Sequence, residues 1–329
     1  MTNDHLLYYL EMPATPTTIT VTVPATTANL GAGFDCIGAA LTLYNQFKFS
    51  LLPEQAALEI IVSGVEAERV DTGSDNLAYQ SFLKLYQHLG KTPPPVKIEI
   101  ELGVPLARGL GSSATAIVGG LVGANVLAGS PLSQNEVMQC AIALEGHPDN
   151  VVPALLGGCR LAATGLNQPP TPEKETLNNW EICDIPWHSE VVPVVAIPDF
   201  ELSTAEARRV LPSEYSRADA IFNTAHLGLL LRALETGRKN WLQAALQDRI
   251  HQPYRQALIP GYDAVYSAAI AAGAYGMVIS GAGPTLLALV NQPQAAAVAT
   301  AMTDAWQQHG IKADVKALQI DSKGAAISS

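Results

Sequence analysis

The sequence predicts an α+β protein of two domains. Apolar and polar residues alternate over 96–102, which is typical of a strand with one wet face. Residues 114–128 are almost entirely small or aliphatic and predict a buried helix that ends at Gly129. The second half of the chain mixes amphipathic helical patterns with short apolar strands. A chain of 329 residues is also long enough to form two domains with large cores.

The other elements follow from periodicity and from helix caps. Further strands are expected over residues 18–23, 41–52, 58–62, 190–197, 277–280, 285–290 and 315–320. Further helices are expected over residues 77–89, capped by Asp75 or Asn76, and over 133–145, 203–211, 218–233, 260–273 and 294–308. Prolines make residues 1–17 an irregular lead-in and residues 165–188 an exposed connection. These patterns predict an N-terminal domain over 18–170 and a C-terminal domain over 171–329.

Composition excludes several classes of partner. The formal net charge is −11 and no run of Lys and Arg appears, so we expect no nucleic-acid binding. No apolar run approaches the roughly 20 residues of a membrane span, and no secretory signal is visible. The four cysteines form no Cys-x-x-Cys pair. Reduced thiols and a cytoplasmic location are therefore expected.

A glycine-rich loop joins the 96–102 strand to the helix that follows. It reads Pro105-Leu-Ala-Arg-Gly-Leu-Gly-Ser-Ser-Ala-Thr115. Free N–H groups and the positive end of the helix dipole suit such a terminus to phosphate. Gly109 and Gly111 allow an anion to approach the backbone closely. The same residues also fit an ordinary glycine turn before a helix, and the loop is not a Walker A motif.

Five separated patterns resemble one family, the GHMP small-molecule kinases. They are the 105–115 loop, Ser280-Gly-Ala-Gly-Pro-Thr285, Pro24-Ala-Thr-Thr-Ala-Asn-Leu-Gly-Ala-Gly-Phe-Asp35, Glu145-Gly-His-Pro-Asp-Asn-Val-Val-Pro-Ala154 and Ser203-Thr-Ala-Glu-Ala-Arg208. The last three are similar to the branch that phosphorylates the hydroxyl of L-homoserine. The resemblance implies a ribosomal protein S5 domain 2-like N-terminal domain and a ferredoxin-like C-terminal domain, with ATP in the cleft. It also implies a homodimer, although no interface pattern is visible.

The resemblance further implies where the substrates bind. ATP is expected at Pro105, Leu106, Ala107, Arg108, Gly109, Leu110, Gly111, Ser112, Ser113, Ala114 and Thr115. Homoserine is expected at Asn29, Asp35, His147, Thr204, Arg208, Arg255, Gly281 and Gly283. Within that set, Asp35 suits the ammonium group. Arg208 and Arg255 suit the carboxylate, because a guanidinium donates paired hydrogen bonds to it. Thr204 either caps its helix or contacts substrate.

Magnesium chemistry is expected at the start of the same helix. Ser112 (or its neighbour Ser113) and Glu145 provide the hard oxygen ligands that Mg²⁺ prefers. Asp149 lies where mevalonate kinases of this family place a catalytic aspartate. The lysine that accompanies that aspartate is missing, because residues 18–47 contain no lysine. We therefore expect phosphoryl transfer that depends on positioning, with no assigned general base.

Two alternatives stay open at this point. One is another kinase of the family, such as a mevalonate-type enzyme, whose substrate has a carboxylate but no ammonium. The other is a binding protein that kept the fold and lost catalysis. The intact glycines, serines and glutamate argue against the second alternative.

Overall fold

The computed structural model describes residues 16–165 and 180–328, and in these residues the strands form two sheets. The first sheet contains β1 (Thr18–Ala28), β2 (Ile37–Leu51), β3 (Glu59–Gly64), β4 (Val96–Leu102), β5 (Cys159–Thr164), β6 (Trp180–Ile185) and β11 (Ala326–Ser328). The main order is β11–β1–β2–β4–β3, and β5 pairs with both β2 and β6. Only the β3–β4 pair of these is parallel.

Strand β1 is longer than the sequence predicts. The expected strand ended at Val23, yet β1 continues through Pro24 into the first glycine-rich motif. Its register with β2 shifts between Pro24 and Ala25, and this irregularity accommodates the proline. The extension carries the motif to the edge of the site cavity.

Four helices cover one face of the first sheet. They are α1 (Leu77–His88), α2 (Ser112–Leu127), α3 (Gln134–Glu145) and α4 (Pro148–Leu156). Helix α2 is the central one, with little distinction between its faces, and it packs on β1 and α1. It approaches the sheet closely, because a Cβ on Gly119 would lie 2.5 Å from the Phe47 ring. The predicted buried helix is confirmed.

The second sheet contains β7 (Val191–Pro198), β8 (Gly276–Ile279), β9 (Leu286–Asn291) and β10 (Ala313–Ala317), in the antiparallel order β10–β7–β9–β8. Its helices are α5 (Thr204–Arg209), α6 (Arg217–Thr236), α7 (Lys239–Ala245), α8 (Gln252–Arg255), α9 (Tyr262–Ala271) and α10 (Ala295–Gln308). The strand order and the crossovers match the expected ferredoxin-like arrangement.

The two sheets share part of their core. Leu30, Ile37 and Leu110 from the first unit pack in one buried cluster with Val195 and Leu287 from the second. Separate clusters fill the first sheet with its helices and the second sheet with α9 and α10. The shared cluster fixes the relative position of the two units at the cleft.

Three strands, β5, β6 and β11, lie where the sequence predicted none. Strand β6 falls inside the expected 165–188 connection and pairs with β5, so that expectation is wrong for residues 180–185. Strand β11 returns to β1. The boundary at 170 and 171 lies outside the described residues, as do most of residues 1–17, and it stays a prediction. In the described residues, no helix is long and apolar enough to cross a membrane.

Candidate active site

A cavity of about 650 Å³ lies between the two units and is lined by both. It contains nearly every residue that the sequence assigned to a site. The exceptions are Pro105, Leu110, Ala114 and Thr115, which do not border it. Residues predicted from five separate motifs therefore meet in one place, and the roles assigned to them stay predictions.

The glycine-rich loop leaves β4 and enters α2 at one wall of the cavity. Gly111 caps the helix with φ of 68° and no side-chain bond. In the described part of the chain, the N–H groups of Gly109, Gly111, Ser112 and Ser113 donate to no protein acceptor. Unpaired N–H groups at a helix start form a site for an anion.

Gly109 is required at its position by both backbone and packing. Its φ is 74°. A Cβ there would collide with the carbonyl oxygen of Ser280 and would lie 2.9 Å from that of Gly283. The loop and the second glycine motif thus touch backbone to backbone, and a side chain would separate them.

Several side chains of the loop face away from the cavity. Leu110, Ala114 and Thr115 are at most 1% exposed, so they can contribute to a phosphate site only through their backbone. Arg108 borders the cavity, but its guanidinium is buried and binds protein groups. Sequence reasoning placed these residues correctly in the loop but could not give their direction.

The predicted metal ligands Ser112 (or Ser113) and Glu145 border the cavity and stay a prediction. Ser113, rather than Ser112, donates a hydrogen bond to Glu145, with 3.0 Å between Oγ and Oε1. Burial raises the pKa of Glu145, and its bond to Ser113 and the nearby His147 only partly oppose this. A bound divalent cation would relieve that cost. One carboxylate and hydroxyls fit Mg²⁺, which keeps several waters and takes phosphate oxygens. Among the described residues, no group of three or more His, Cys, Asp and Glu side chains is arranged to hold a metal.

His147 and Asp149 form a pair at the start of α4. His147 Nδ1 lies 2.6 Å from Asp149 Oδ1, and this bond to Asp149 raises the pKa of His147. The Asp149 side chain is 1% exposed. Its other oxygen, Oδ2, is buried with no hydrogen-bond partner among the described residues, although Asp149 borders the cavity. A buried acceptor of this kind requires a donor, and a ligand hydroxyl is one.

Asp35 and Arg208 pair with each other across the cavity. Arg208 donates from Nη1 and Nη2 to the two carboxylate oxygens of Asp35, at 3.0 and 2.8 Å. Hydrogen bonding to Asp35 raises the pKa of Arg208. Asn29 supports the turn, because it accepts from the Asp35 N–H and donates to the Gly281 carbonyl. The two side chains that were assigned to opposite ends of homoserine therefore lie side by side and form a salt bridge with each other.

Arg255 lies deeper, only 1% exposed. It donates from Nη1 to the carbonyl of Gly281 and from Nε to that of Ala207, and among residues 16–165 and 180–328 no acceptor is found for Nη2. Burial and the nearby Arg208 lower the pKa of Arg255. Ser203, not Thr204, caps α5, so the cap interpretation of Thr204 is wrong and its side chain is left at the cavity.

The sequence did not predict two parts of the site: one wall of the cavity and the aromatic ring of Phe34. The missed wall consists of Arg69, Val70, Asp71, Asp75, Asn76 and Leu77, at the entry to α1. Asn76 confirms one of the two predicted caps, accepting from the N–H groups of Ala78 and Tyr79. The missed ring is Phe34, which lies 5.8 and 5.0 Å from the guanidinium carbons of Arg208 and Arg255. The one sequence feature that could have indicated Phe34 is that it directly precedes Asp35.

Two family models match parts of the chain that contribute to this cavity. Residues 76–158 match the family described as GHMP kinases N terminal domain, and residues 230–308 match GHMP kinases C terminal. The chain belongs to the GHMP kinase family.

Individual relatives define the branch. The homoserine kinase of Trichormus variabilis is 71% identical over 93% of this chain and 98% of its own. That of Microchaete diplosiphon is 70% identical over 94% and 96%. Among solved structures, homoserine kinase from Cytophaga hutchinsonii has a TM-score of 0.84 and 28% identity, covering 97% of this chain and 100% of that one. Within the family, the chain belongs with the homoserine kinases.

The fold is shared more widely. Mevalonate kinase of L. major, solved with R-mevalonate, has a TM-score of 0.68 at 15% identity and covers 93% of this chain and 96% of that one. At that identity, the likeness concerns the fold alone.

Proposed function

We propose that the protein transfers the γ-phosphoryl group of ATP to the side-chain hydroxyl of L-homoserine. The observation that carries this proposal is the meeting, in one cavity, of an anion-binding helix start with the Asp35, Arg208 and Arg255 charges. A zwitterion offers an ammonium to the acid and a carboxylate to the guanidinium groups. A substrate with a carboxylate alone would offer Asp35 no positive group to bind.

The nucleotide is proposed to lie along the glycine-rich loop. Its phosphates face the N–H groups that open α2, and its base extends toward the 69–77 wall. The apolar side chains of Val70, Leu77 and Leu102 border the cavity there and suit a flat ring. In this arrangement the γ-phosphate points toward Asp149 and the amino-acid end.

The chain contributes chiefly positioning and charge. A loose phosphoryl-transfer transition state needs little base assistance. Asp149 Oδ2 is proposed to accept the hydrogen bond of the homoserine hydroxyl and to aim its oxygen, while His147 holds the Asp149 carboxylate in place. Glu145 with Ser112 or Ser113 would hold Mg²⁺, which supplies positive charge beside the phosphates. We also propose that the protein is cytoplasmic and forms a homodimer.

A coupled assay of ADP release tests the proposal. Turnover is measured with homoserine, mevalonate and galactose at equal concentration, with and without Mg²⁺. Homoserine is expected to be the preferred substrate, and turnover is expected to require Mg²⁺. Faster turnover of mevalonate than of homoserine would contradict the assigned specificity. Light scattering on the same sample checks for twice the 34.7 kDa chain mass.

A further inference from the structure

The guanidinium of Arg108 in the glycine-rich loop binds protein groups, with four hydrogen bonds and an ion pair to Glu201 among the described residues. A guanidinium has five N–H donors. Arg108 Nε donates to the Pro198 carbonyl at 3.0 Å, and Nη1 donates to that of Leu106 at 2.8 Å and faces Glu201 Oε1 at 3.2 Å. Nη2 lies 3.2 Å from both Glu66 Oε1 and the Asp199 carbonyl. The residue is 6% exposed.

Glu66 binds both the side chain and the backbone of this loop. Its Oε1 accepts from Arg108, and its Oε2 accepts from the Leu106 N–H at 2.8 Å. Glu66 follows β3 in the first unit, whereas Pro198 ends β7 in the second unit and Asp199 and Glu201 come just after it. Arg108 therefore connects the loop to both units at once.

The loop carbonyls turn toward the second unit as well. The Ala107 oxygen accepts from the Leu202 N–H at 3.4 Å, and the Arg108 oxygen accepts from the Thr285 N–H at 3.3 Å. The Gly109 oxygen accepts from Ser280 Oγ at 2.7 Å. Because a peptide group carries its N–H opposite its carbonyl, these bonds turn the N–H side of the loop toward the cavity.

We propose that Arg108 is a positioning residue: it is held by Glu66 of the first unit and fastens the loop to the second unit, so that the loop N–H groups face the nucleotide phosphates. It does not contact phosphate itself. This inference rests on the proposed function for its nucleotide, but not for the state of the loop. The Pro198–Glu201 segment that anchors Arg108 leads directly into α5, which carries Arg208 at the amino-acid end of the cavity.

The test compares Arg108→Met, Arg108→Lys and Glu66→Gln. Arg209→Met is the control, since Arg209 is an exposed arginine that forms no side-chain bond within the described residues. Binding of ATP and ADP is measured by calorimetry without homoserine. Each of the three variants is expected to weaken both nucleotides by about tenfold, because bonds to charged groups are lost. The ATP-to-ADP ratio should stay unchanged, and the combined Glu66→Gln, Arg108→Met protein should be no weaker than Arg108→Met.

Arg108→Lys separates charge from geometry. A lysine keeps the charge but cannot supply five fixed donors, so it should fail to rescue binding. Rescue by lysine, a loss confined to ATP, additive losses in the double variant, or wild-type affinity in Arg108→Met would overturn the proposal.

Hydrogen exchange supplies a readout that needs no ligand. The Leu202 and Thr285 amides donate to the loop, so they should exchange about tenfold faster in Glu66→Gln and Arg108→Met than in Arg209→Met. Unchanged exchange would refute the fastening role even if the wild-type protein failed to phosphorylate homoserine. If Arg108→Met does not fold, the near-isosteric Glu66→Gln carries both measurements.

Discussion

Asp35→Asn gives the most direct test of the amino-acid end of the cavity. The change removes one negative charge and leaves the backbone intact, because Asn tolerates the left-handed conformation that Asp35 adopts with φ of 53°. The backbone N–H of residue 35 donates to Asn29 Oδ1, and this bond is retained. The variant therefore isolates the carboxylate.

The expected magnitude follows from one charged hydrogen bond. A bond between an ammonium and a carboxylate contributes about 2 kcal/mol, so KM for homoserine should rise about thirtyfold. Arg208 loses its charged partner and one of its two acceptor oxygens, so it is more available to the ligand carboxylate. 4-Hydroxybutyrate, which is homoserine without its amino group, should therefore be bound as well as before or more tightly. KM for ATP should not change.

Initial rates with both substrates at saturating ATP give the comparison. The reasoning predicts a large change in selectivity between the two compounds, not a general loss. An equal loss for homoserine and 4-hydroxybutyrate would refute it, as would an unchanged KM for homoserine.

Three further predictions concern the other walls of the site. Asp149→Asn should lower kcat by roughly ten- to a hundredfold, the cost of one buried charge-assisted bond, and a loss near ten-thousandfold with unchanged KM would instead assign Asp149 as general base. Gly109→Ala should weaken ATP binding and destabilise the fold by more than Gly310→Ala does. Gly310 has the same φ of 74° but open space around its Cβ position, so it reports the backbone strain of about 1–2 kcal/mol alone. Equal melting temperatures and equal ATP affinities in the two glycine variants would argue against the close approach. Finally, the raised pKa of His147 means that its charged pair with Asp149 stabilises the fold fully below the unfolded pKa of about 6.5, and that this stability is lost as pH rises through the folded pKa. The difference in melting temperature between wild type and His147→Gln should accordingly be larger at pH 5.5 than at pH 9, and a difference independent of pH would contradict the ion pair.

Local signals were sufficient for the loop and its helix. Alternation specified β4, and glycines before a small-residue run specified the start of α2. What the sequence could not provide was helix phase and long-range pairing. The phase decides that Ser113, not Ser112, faces Glu145. Apart from Leu106, the residues that accept hydrogen bonds from Arg108 are 42 to 91 positions away in the sequence. No local sequence pattern predicts contacts over such separations.

The missed strand β11 and the shortened prediction of β1 have a similar cause. Strand β11 is three exposed residues that pair, within the described residues, with β1 alone, so it has no hydrophobic pattern to detect. Strand β1 passes through a proline, which normally argues against a strand, and only the register shift opposite β2 makes this possible.

Because β11 returns to β1, the ferredoxin-like unit is an insertion within the other unit. Two backbone crossings, from β6 to β7 and from β10 to β11, join them. A single proteolytic nick between β6 and β7 would thus leave both fragments held together, one of them contributing its last strand to the other's sheet. Any opening of the cleft must also turn about both crossings together, which restricts it to a hinge with one axis and disfavours free swivelling.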